Sequence, residues 1–354
     1  MTARYVRRGV KESMRTYKAA VIGCGTIFPT HGVSIKLCEL AALTAVCDII
    51  PERAKKTAEE YSCAAYTDWR EMLEREELDA VHICLPHHLH APVAVECMKK
   101  GLHVICEKPL ATSFEDARLM ADTAKECGVK LSCIFQNRYN AGVQLVRNLF
   151  LSGELGRVKG AKCFVTWRRV GKYYSESEWR GRWETEGGGV IINQAIHTLD
   201  AMKYIMAAHP VEVDAVIANR GGEPIEVEDT AEGAILFDNG VLANFHAISY
   251  YSFDDEVQID FDFENGRAKI ISDRADVVMK DGRVIKARRD EKETADYGDT
   301  KSYWGVNHSK QINDFYECLK NGNESLLHLE ESVETLKMVC AIYESGKSGK
   351  KVKI

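Results

Sequence analysis

Glu107, Lys108 and Pro109 interrupt an apolar run, VICEKPL at residues 104–110, where a buried strand would end. A carboxylate, an amine and an imino ring do not belong in a core. An amine taken out of water at a strand end holds its proton less tightly, and so can serve as a hydrogen-bond donor or proton relay near neutral pH. A second group follows three glycines, 187 to 189. In VIINQAIHTLDAMKYIM, Asn193, His197 and Asp200 stand at i, i+4 and i+7, so a regular helix would align them in one polar row. Positions 192, 195, 196, 199, 202 and 206 would form its apolar stripe on another face. A polar row beside a glycine-rich approach suits a substrate pocket. Between the two groups, WRRVGKYYSESEWRGRW (167–183) holds three of the five tryptophans, Tyr173, Tyr174 and four arginines. Flat aromatic faces stack on the C–H faces of a sugar ring, and guanidinium groups donate to hydroxyls or carboxylates.

VIGCGTIF supplies Gly23 and Gly25, the GxG part of a dinucleotide-binding turn; the third glycine position holds Phe28, followed by Pro29. Glycines there let the backbone approach a pyrophosphate at a helix N-terminus. The next apolar run ends in Asp48, 23 residues after Gly25 (48 minus 25), near the spacing of about 20 expected for the acid that binds a ribose hydroxyl. Ile49 and Ile50 follow, with no Arg or Lys immediately available for a 2′-phosphate, so NAD is favoured over NADP. Leu85-Pro86-His87-His88-Leu89-His90, Glu107-Lys108-Pro109 and Gln136-Asn137-Arg138 end three further runs. In open α/β sheets ligands bind outside the carboxyl ends of the strands, so these clusters converge on one crevice.

The elements that must position them follow from periodicity. From residue 18 to about 135, short apolar runs alternate with amphipathic stretches such as PERAKKTAEEY, the pattern of parallel strands buried on both faces with crossover helices. This predicts a doubly wound, Rossmann-type α/β domain over 17–140, preceded by an extension, 1–16. Beyond 150 the chain turns β-rich, with hairpin signals at Asp238-Asn239-Gly240, Asn265-Gly266 and Asp281-Gly282, and residues 306 to 345 return to helical spacing. The second domain, 141–354, is expected to be α+β with a large, mostly antiparallel open sheet.

Composition narrows the partners. A net charge of -6 supplies no basic footprint for nucleic acid or an anionic membrane, which leaves small molecules. The basic first seventeen residues lack the apolar core of a secretory signal, no stretch reaches the roughly 20 apolar residues of a membrane span, and a cytoplasmic location is expected. Several of the 12 cysteines sit inside apolar runs and none form a CxxC pair, which fits buried thiols in a reducing compartment. His82, His87, His88 and His90 have no matching Cys or acidic set beside them, so no metal centre is expected. An open sheet with alternating apolar residues would be a liability in a monomer, so a homodimer or homotetramer is expected.

From residue 18 the chain resembles the glucose-fructose oxidoreductase / inositol dehydrogenase / MocA family. GCG near the start, HHLH (87–90), GLHVICEKPLA (101–111), QNRYN (136–140) and EGGGVIINQAIHTLD (186–200) follow the family's order. The resemblance implies that Lys108 reaches the reacting oxygen beside a nicotinamide, that Glu107 lies against the cofactor, and that the Lys108–Pro109 bond is cis. It makes His197 the general acid or base at a sugar hydroxyl, with Asn193 in the catalytic set. Asn193 stands where inositol dehydrogenases carry an aspartate; an amide orients a hydroxyl but cannot hold the charge that stabilises a protonated neighbour. Expected cofactor contacts are Gly23, Gly25, Thr26, Ile27, Asp48, Ile49 and Arg53 at the first two strand ends. Leu85, Pro86, His87, His90, Glu107, Lys108 and Asn137 complete them at the others. Expected substrate contacts are Arg138, Trp167, Arg168, Trp179, Asn193, His197 and Tyr303, the last in SYWGVNH with Trp304 and His308. The implied activity is an NAD-dependent transfer of hydride between nicotinamide and a secondary alcohol or ketone of a sugar, glycoside or cyclitol. Two alternatives stay open: an NAD-dependent glycoside-cleaving enzyme that oxidises the sugar transiently, and a cofactor-binding regulator without turnover.

Overall fold

Apolar runs with no polar alternation can only become strands covered on both faces, and the first half of the chain builds such a sheet. The computed structural model describes residues 15–289, 302–324 and 328–354, and for 302–306 the backbone alone. In chain order the first half contains β1 (Tyr17–Ile22), α1 (Phe28–Leu37), β2 (Ala41–Cys47), α2 (Pro51–Tyr61), β3 (Ala64–Tyr66), α3 (Trp69–Arg75), β4 (Ala80–Ile83), α4 (His90–Lys99), β5 (His103–Cys106), α5 (Phe114–Glu126) and β6 (Leu131–Cys133). All strand pairs are parallel, in the order β3-β2-β1-β4-β5-β6, the doubly wound arrangement whose order reverses between β1 and β4. Ala19, Ala20, Val21, Val81, Ile83, Val104 and Ile105 are fully buried.

The second half begins with α6 (Ala141–Leu151) and β7 (Val158–Thr166), then the one-turn helices α7 (Lys172–Ser175) and α8 (Trp183–Glu186). A π-helical segment, Val190–Ala195, runs directly into α9 (Ile196–Met206). Seven strands, β8 (Pro210–Ala218), β9 (Thr230–Phe237), β10 (Leu242–Ile248), β11 (Gln258–Phe263), β12 (Gly266–Ile271), β13 (Arg274–Met279) and β14 (Val284–Ala287), precede α10 (Ser302–Asn321), α11 (Leu329–Ser348) and β15 (Val352–Lys353). They make a nine-stranded sheet, β14-β13-β12-β11-β7-β10-β9-β8-β15, antiparallel except at β7–β10. Burial alternates: Ala161, Cys163 and Val165 of β7 point into a core shared with α6, α9 and α11, while Lys162 and Phe164 point out. The turns at 238–240 and 281–282 fall where the sequence placed them, with Gly240 and Gly282 at φ +80° and +91°.

The expected boundary at 140 separates the two sheets but not all the helices. Helix α10 returns to lie on α1, and its Ile312, Phe315 and Tyr316 are buried with Phe28 and Ile35 on that face of the first sheet. A helix from the end of the chain thus completes the first domain's outer layer. Among the described residues no helix is long and apolar enough to cross a membrane.

Candidate active site

Strand β5 carries Lys108 to the crevice. Glu107 N–H continues the sheet by donating to Ile83 O (3.0 Å), the Lys108–Pro109 bond is cis, and buried Leu110 and Ala111 pin the turn that follows. The amine spans to the second domain. Lys108 Nζ donates to Asn193 O (2.7 Å) and to Asn193 Oδ1 (3.0 Å). Burial lowers the affinity of this amine for its proton to a pKa of about 8, against the pull of the Glu107 and Glu186 carboxylates.

Glu107, fully inside the protein, sits in a line of histidines that sequence reading did not assemble. His31 Nε2 and His308 Nε2 lie 2.9 and 3.2 Å from its Oε1. Although burial pushes its carboxyl up, these two hydrogen bonds hold it well below the usual carboxylate range. An ionised acceptor at one end fixes the protons behind it. His31 donates through Nε2, so its Nδ1 must accept from His82 Nδ1 (2.8 Å). His82 Nε2 in turn accepts from the Tyr316 hydroxyl (2.8 Å). His31, Glu107 and His308 are, among the described residues, a set whose ligand atoms converge within 4.8 Å. Their spacing to the shared oxygen is that of hydrogen bonds, which satisfy the carboxylate without an ion.

The segment carrying Asn193 and His197 departs from the expected helix. The amides that open it have no partners of their own, and a buried carboxylate supplies them: Glu228 accepts from Gly189 N (2.8 Å) and Ile191 N (3.0 Å), while the Tyr343 hydroxyl accepts from Ile192 N (3.0 Å). A Cβ at Gly189 would collide with Glu228 O, so glycine there is a condition of this close approach. Residues 190–195 wind as a π-helix, which breaks the i, i+4, i+7 row. The six stripe positions are buried, but so are Thr198, Asp200, Ala201, Lys203 and Ile205, because β-sheet and helices enclose α9 on every side. Asp200 faces Arg138, which donates to both its oxygens at 2.7 Å, and accepts from the Thr335 hydroxyl (2.7 Å). Arg138 is therefore a scaffold residue rather than the expected substrate contact: its side chain is 3% exposed and tied to a carboxylate of the same core.

His197 stays half-buried beside Phe135, its Nδ1 without a hydrogen-bond partner. Burial, and then the neighbouring Lys108, hold its imidazole down to a pKa of about 3. An imidazole held neutral in this way can offer one donor and one acceptor to a partner in the crevice. Lys108, near 8, lies closer to neutrality than this imidazole.

At the other end of the crevice, Gly23 (φ +102°) lies so close to β4 that a Cβ would strike Cys84 O. At Gly25 no protein atom stands within 4 Å of where a Cβ would be, so packing does not demand its glycine; a pyrophosphate drawn against the loop would. Thr26 is exposed and Ile27 is half-buried against the cluster beneath α1; both precede α1, which has Pro29 in its first turn. Asp48 accepts from Cys24 N and Ile50 N (both 2.9 Å), which locks the acid beside the loop. Ile49 is 85% exposed. Arg53, an expected cofactor contact, lies 3.4 Å from Asp48. These residues fit a dinucleotide.

The remaining expected contacts divide. Leu85, Pro86 and Asn137 are half-buried at the strand ends. His90 is scaffold, fully buried between the carbonyls of Leu85 (2.8 Å) and Pro109 (2.7 Å). His87 joins the domains, with Nδ1 at 2.8 Å from Glu186 O and its ring 4.6 Å from that of Trp179. Trp167 donates to Asp255 O, and Arg168 is exposed. The inward arginines are instead Arg169 and Arg180, both within 6 Å of the Tyr173 ring. The side chains of Tyr303 and Trp304 lie outside the described residues. Glu228 and His31 escaped sequence reading, Glu186 was seen only as the first letter of EGGG, and Tyr173, Arg180 and His308 were noticed in their segments without an individual role. EGGG was visible, but nothing in it says that its first residue reaches forward to Asn193.

A parallel sheet with an open glycine turn, a fixed acid and an amine at its carboxyl edge, facing an imidazole from a second domain, defines a dinucleotide-dependent oxidoreductase. Residues 17–135 match the GFO_IDH_MocA model, "Oxidoreductase family, NAD-binding Rossmann fold", and residues 147–354 match its C-terminal alpha/beta domain. The chain belongs to this glucose-fructose oxidoreductase / inositol dehydrogenase / MocA family, and NAD is its cofactor class. A 1,5-anhydro-D-fructose reductase from Ensifer adhaerens is 32% identical over 180 residues, 51% of this chain and 53% of that protein. A D-glucoside 3-dehydrogenase from Escherichia coli is 31% identical over 241 residues, 63% of this chain and 67% of that protein. The chain thus spans about half to two thirds of the length of these curated relatives. The WlbA dehydrogenase of Bordetella pertussis, solved with NADH and UDP-GlcNAcA, superposes with a TM-score of 0.82 at 27% identity, over 96% of this chain and 99% of that one.

Proposed function

We propose that this protein transfers hydride between NAD and a secondary alcohol or ketone of a sugar, glycoside or cyclitol. The observation that carries the reading is Lys108: a half-buried amine at a strand end, hydrogen-bonded to Asn193 and near His197, on the crevice edge that the GxG loop and Asp48 share. Gly23, Gly25 and Asp48 would hold the pyrophosphate and ribose, and Glu107 would lie along the nicotinamide side. The bound nicotinamide supplies or accepts the hydride. Lys108 takes the hydroxyl proton in the oxidative direction and returns it in the reductive one, because its pKa of about 8 suits exchange near neutrality. His197, neutral, orients the same oxygen. Tyr173, Trp179 and Arg180 offer ring faces and a guanidinium on the second-domain side. Relatives named for anhydro-sugars, glucosides and inositol support the substrate class.

The test is absorbance of NADH on incubation with NAD⁺ and levoglucosan, D-glucosides, sugar acids or myo-inositol, and its loss on incubation with 1,5-anhydro-D-fructose, with sugar products analysed in parallel. NADH change with a member of the panel supports the reading. Sugar release without it would replace the reading with the glycoside-cleaving one, and no reaction with any carbohydrate, oxidised or reduced, would overturn it. We further propose that a second copy covers the open face of the large sheet, where Phe164 and Leu242 are exposed on the adjacent strands β7 and β10 and Val216 on β8, two strands further; sedimentation of a monomer would refute this.

A further inference from the structure

Asn193 is hydrogen-bonded at every position of its amide. Its Oδ1 accepts from Lys108 Nζ (3.0 Å), and its Nδ2 donates to Glu186 Oε1 (2.5 Å) and to the Tyr173 hydroxyl (3.1 Å). The amide has two donors and one acceptor oxygen, so this pattern admits one orientation only. It holds a cation at its oxygen and an anion at its nitrogen. Glu186, the last residue of α8, is 1% exposed, and its second oxygen accepts from Gly181 N (2.5 Å). Its backbone carbonyl is bonded to His87, which fixes α8 against the loop after β4. A carboxylate this deeply buried and singly directed is costly unless something uses its charge.

We propose that Glu186 is a positioning residue for Lys108: acting through the Asn193 amide, its carboxylate sets the orientation and the proton affinity of the lysine amine. This rests on the reading of Lys108 as the proton-exchanging group. The polarised amide presents its negative end to the ammonium, so the charge of Glu186 is felt by Lys108 without a direct ion pair that would hold the amine away from substrate. Charged and titratable groups facing Glu186 are Lys108 from the β5 turn, Arg180 from the segment before α8, Tyr173 across Asn193, Tyr174 of α7 and Tyr343 of α11. Burial raises the Glu186 carboxyl to a pKa of about 7, against the pull of Gly181 N–H, Asn193, Arg180 and Lys108. It is therefore ionised in the range where Lys108 exchanges its proton. The same geometry accounts for an amide at 193: an aspartate there would set two carboxylates against each other, and one would have to stay protonated.

The proposal is tested on the full chain without substrate or cofactor, by competitive labelling with trace acetic anhydride and quantification of the Lys108 peptide against exposed Lys55 across pH. The pH midpoint reports the amine's proton affinity, whereas the plateau follows exposure. In E186Q the glutamine amine confronts Asn193 Nδ2, the amide turns its donors toward Lys108, and labelling at pH 7 should quicken about threefold as the midpoint falls. In the swap N193D/E186Q the charge stands next to the amine, and the midpoint should rise above that of the unaltered protein. An unchanged midpoint in folded E186Q would overturn the proposal. If thermal melting shows E186Q unfolded, the swap decides alone: a midpoint at or below the original would overturn it. A silent substrate panel would refute the proposed function and leave this result standing, so the two failures are distinguishable.

Discussion

Two buried glutamates flank Lys108, and the protein treats them in opposite ways. Glu107, on the first domain, receives N–H groups from His31 and His308 at one oxygen and stays ionised far below its ordinary range. Glu186, on the second, receives one backbone amide and one side-chain amide, and burial prevails, lifting it to about 7. The kind of donor, two imidazoles against two amides, rather than residue type or burial, separates the strongly held charge from the titrating one. Asp200 is a third case, kept charged by a bidentate arginine and used for structure. A cation placed between a fixed anion and a titrating one can be tuned from one side while held from the other.

Removing that cation should have the largest effect. K108M is expected to lower turnover by about 10³-fold, roughly 4 kcal/mol of barrier, while NAD⁺ binding measured by fluorescence quenching survives; undiminished turnover would dissolve the comparison. The scaffold carboxylate should respond in stability instead. R138M strands the Asp200 charge and should cost about 3 kcal/mol in urea unfolding, and a loss below 1 kcal/mol would show that Asp200 is not held as a buried charge. E107Q should cost about 2 kcal/mol, since one histidine donor loses its anionic acceptor, and should weaken NAD⁺ binding; the corresponding E186Q should leave NAD⁺ binding intact. The smallest effect concerns pH. Lys108 must be unprotonated to take a hydroxyl proton, so kcat/KM for oxidation should rise tenfold per pH unit toward about 8 and level off, while reduction, which needs the ammonium, should fall above it. A flat oxidative profile between pH 6 and about 9 would remove Lys108 from proton exchange.

Much of this site was legible because it obeys local rules. A strand end, a GxG turn and an acid near the expected spacing are consequences of how a parallel sheet presents its carboxyl edge, and each can be read from a dozen residues. Lys108, Asp48, Gly23 and Gly25 were read that way, and the structure places all four along the carboxyl edge of the first sheet. The errors share one cause. Arg138 and Asp200 looked like pocket residues because each stands at a polar position of its own segment, yet they are 62 residues apart and satisfy one another. The polar row failed because Glu228, 39 residues beyond Gly189, caps the segment and allows a π-helical turn that no 3.6-residue periodicity contains.

The sequence by itself determined the class of the first domain, the β-rich second half, the strand-end location of Lys108 and the glycine turn for a dinucleotide, since hydrophobic periodicity and backbone sterics act over a few residues. Only the tertiary structure decided which carboxylate would be ionised and which would titrate. His31 reaches Glu107 across 76 residues and His308 across 201, and Lys108 meets Asn193 across 85. Proton affinity depends on donors within about 3 Å and on exclusion of water, and neither exists until the two domains and helix α10 have closed around the site.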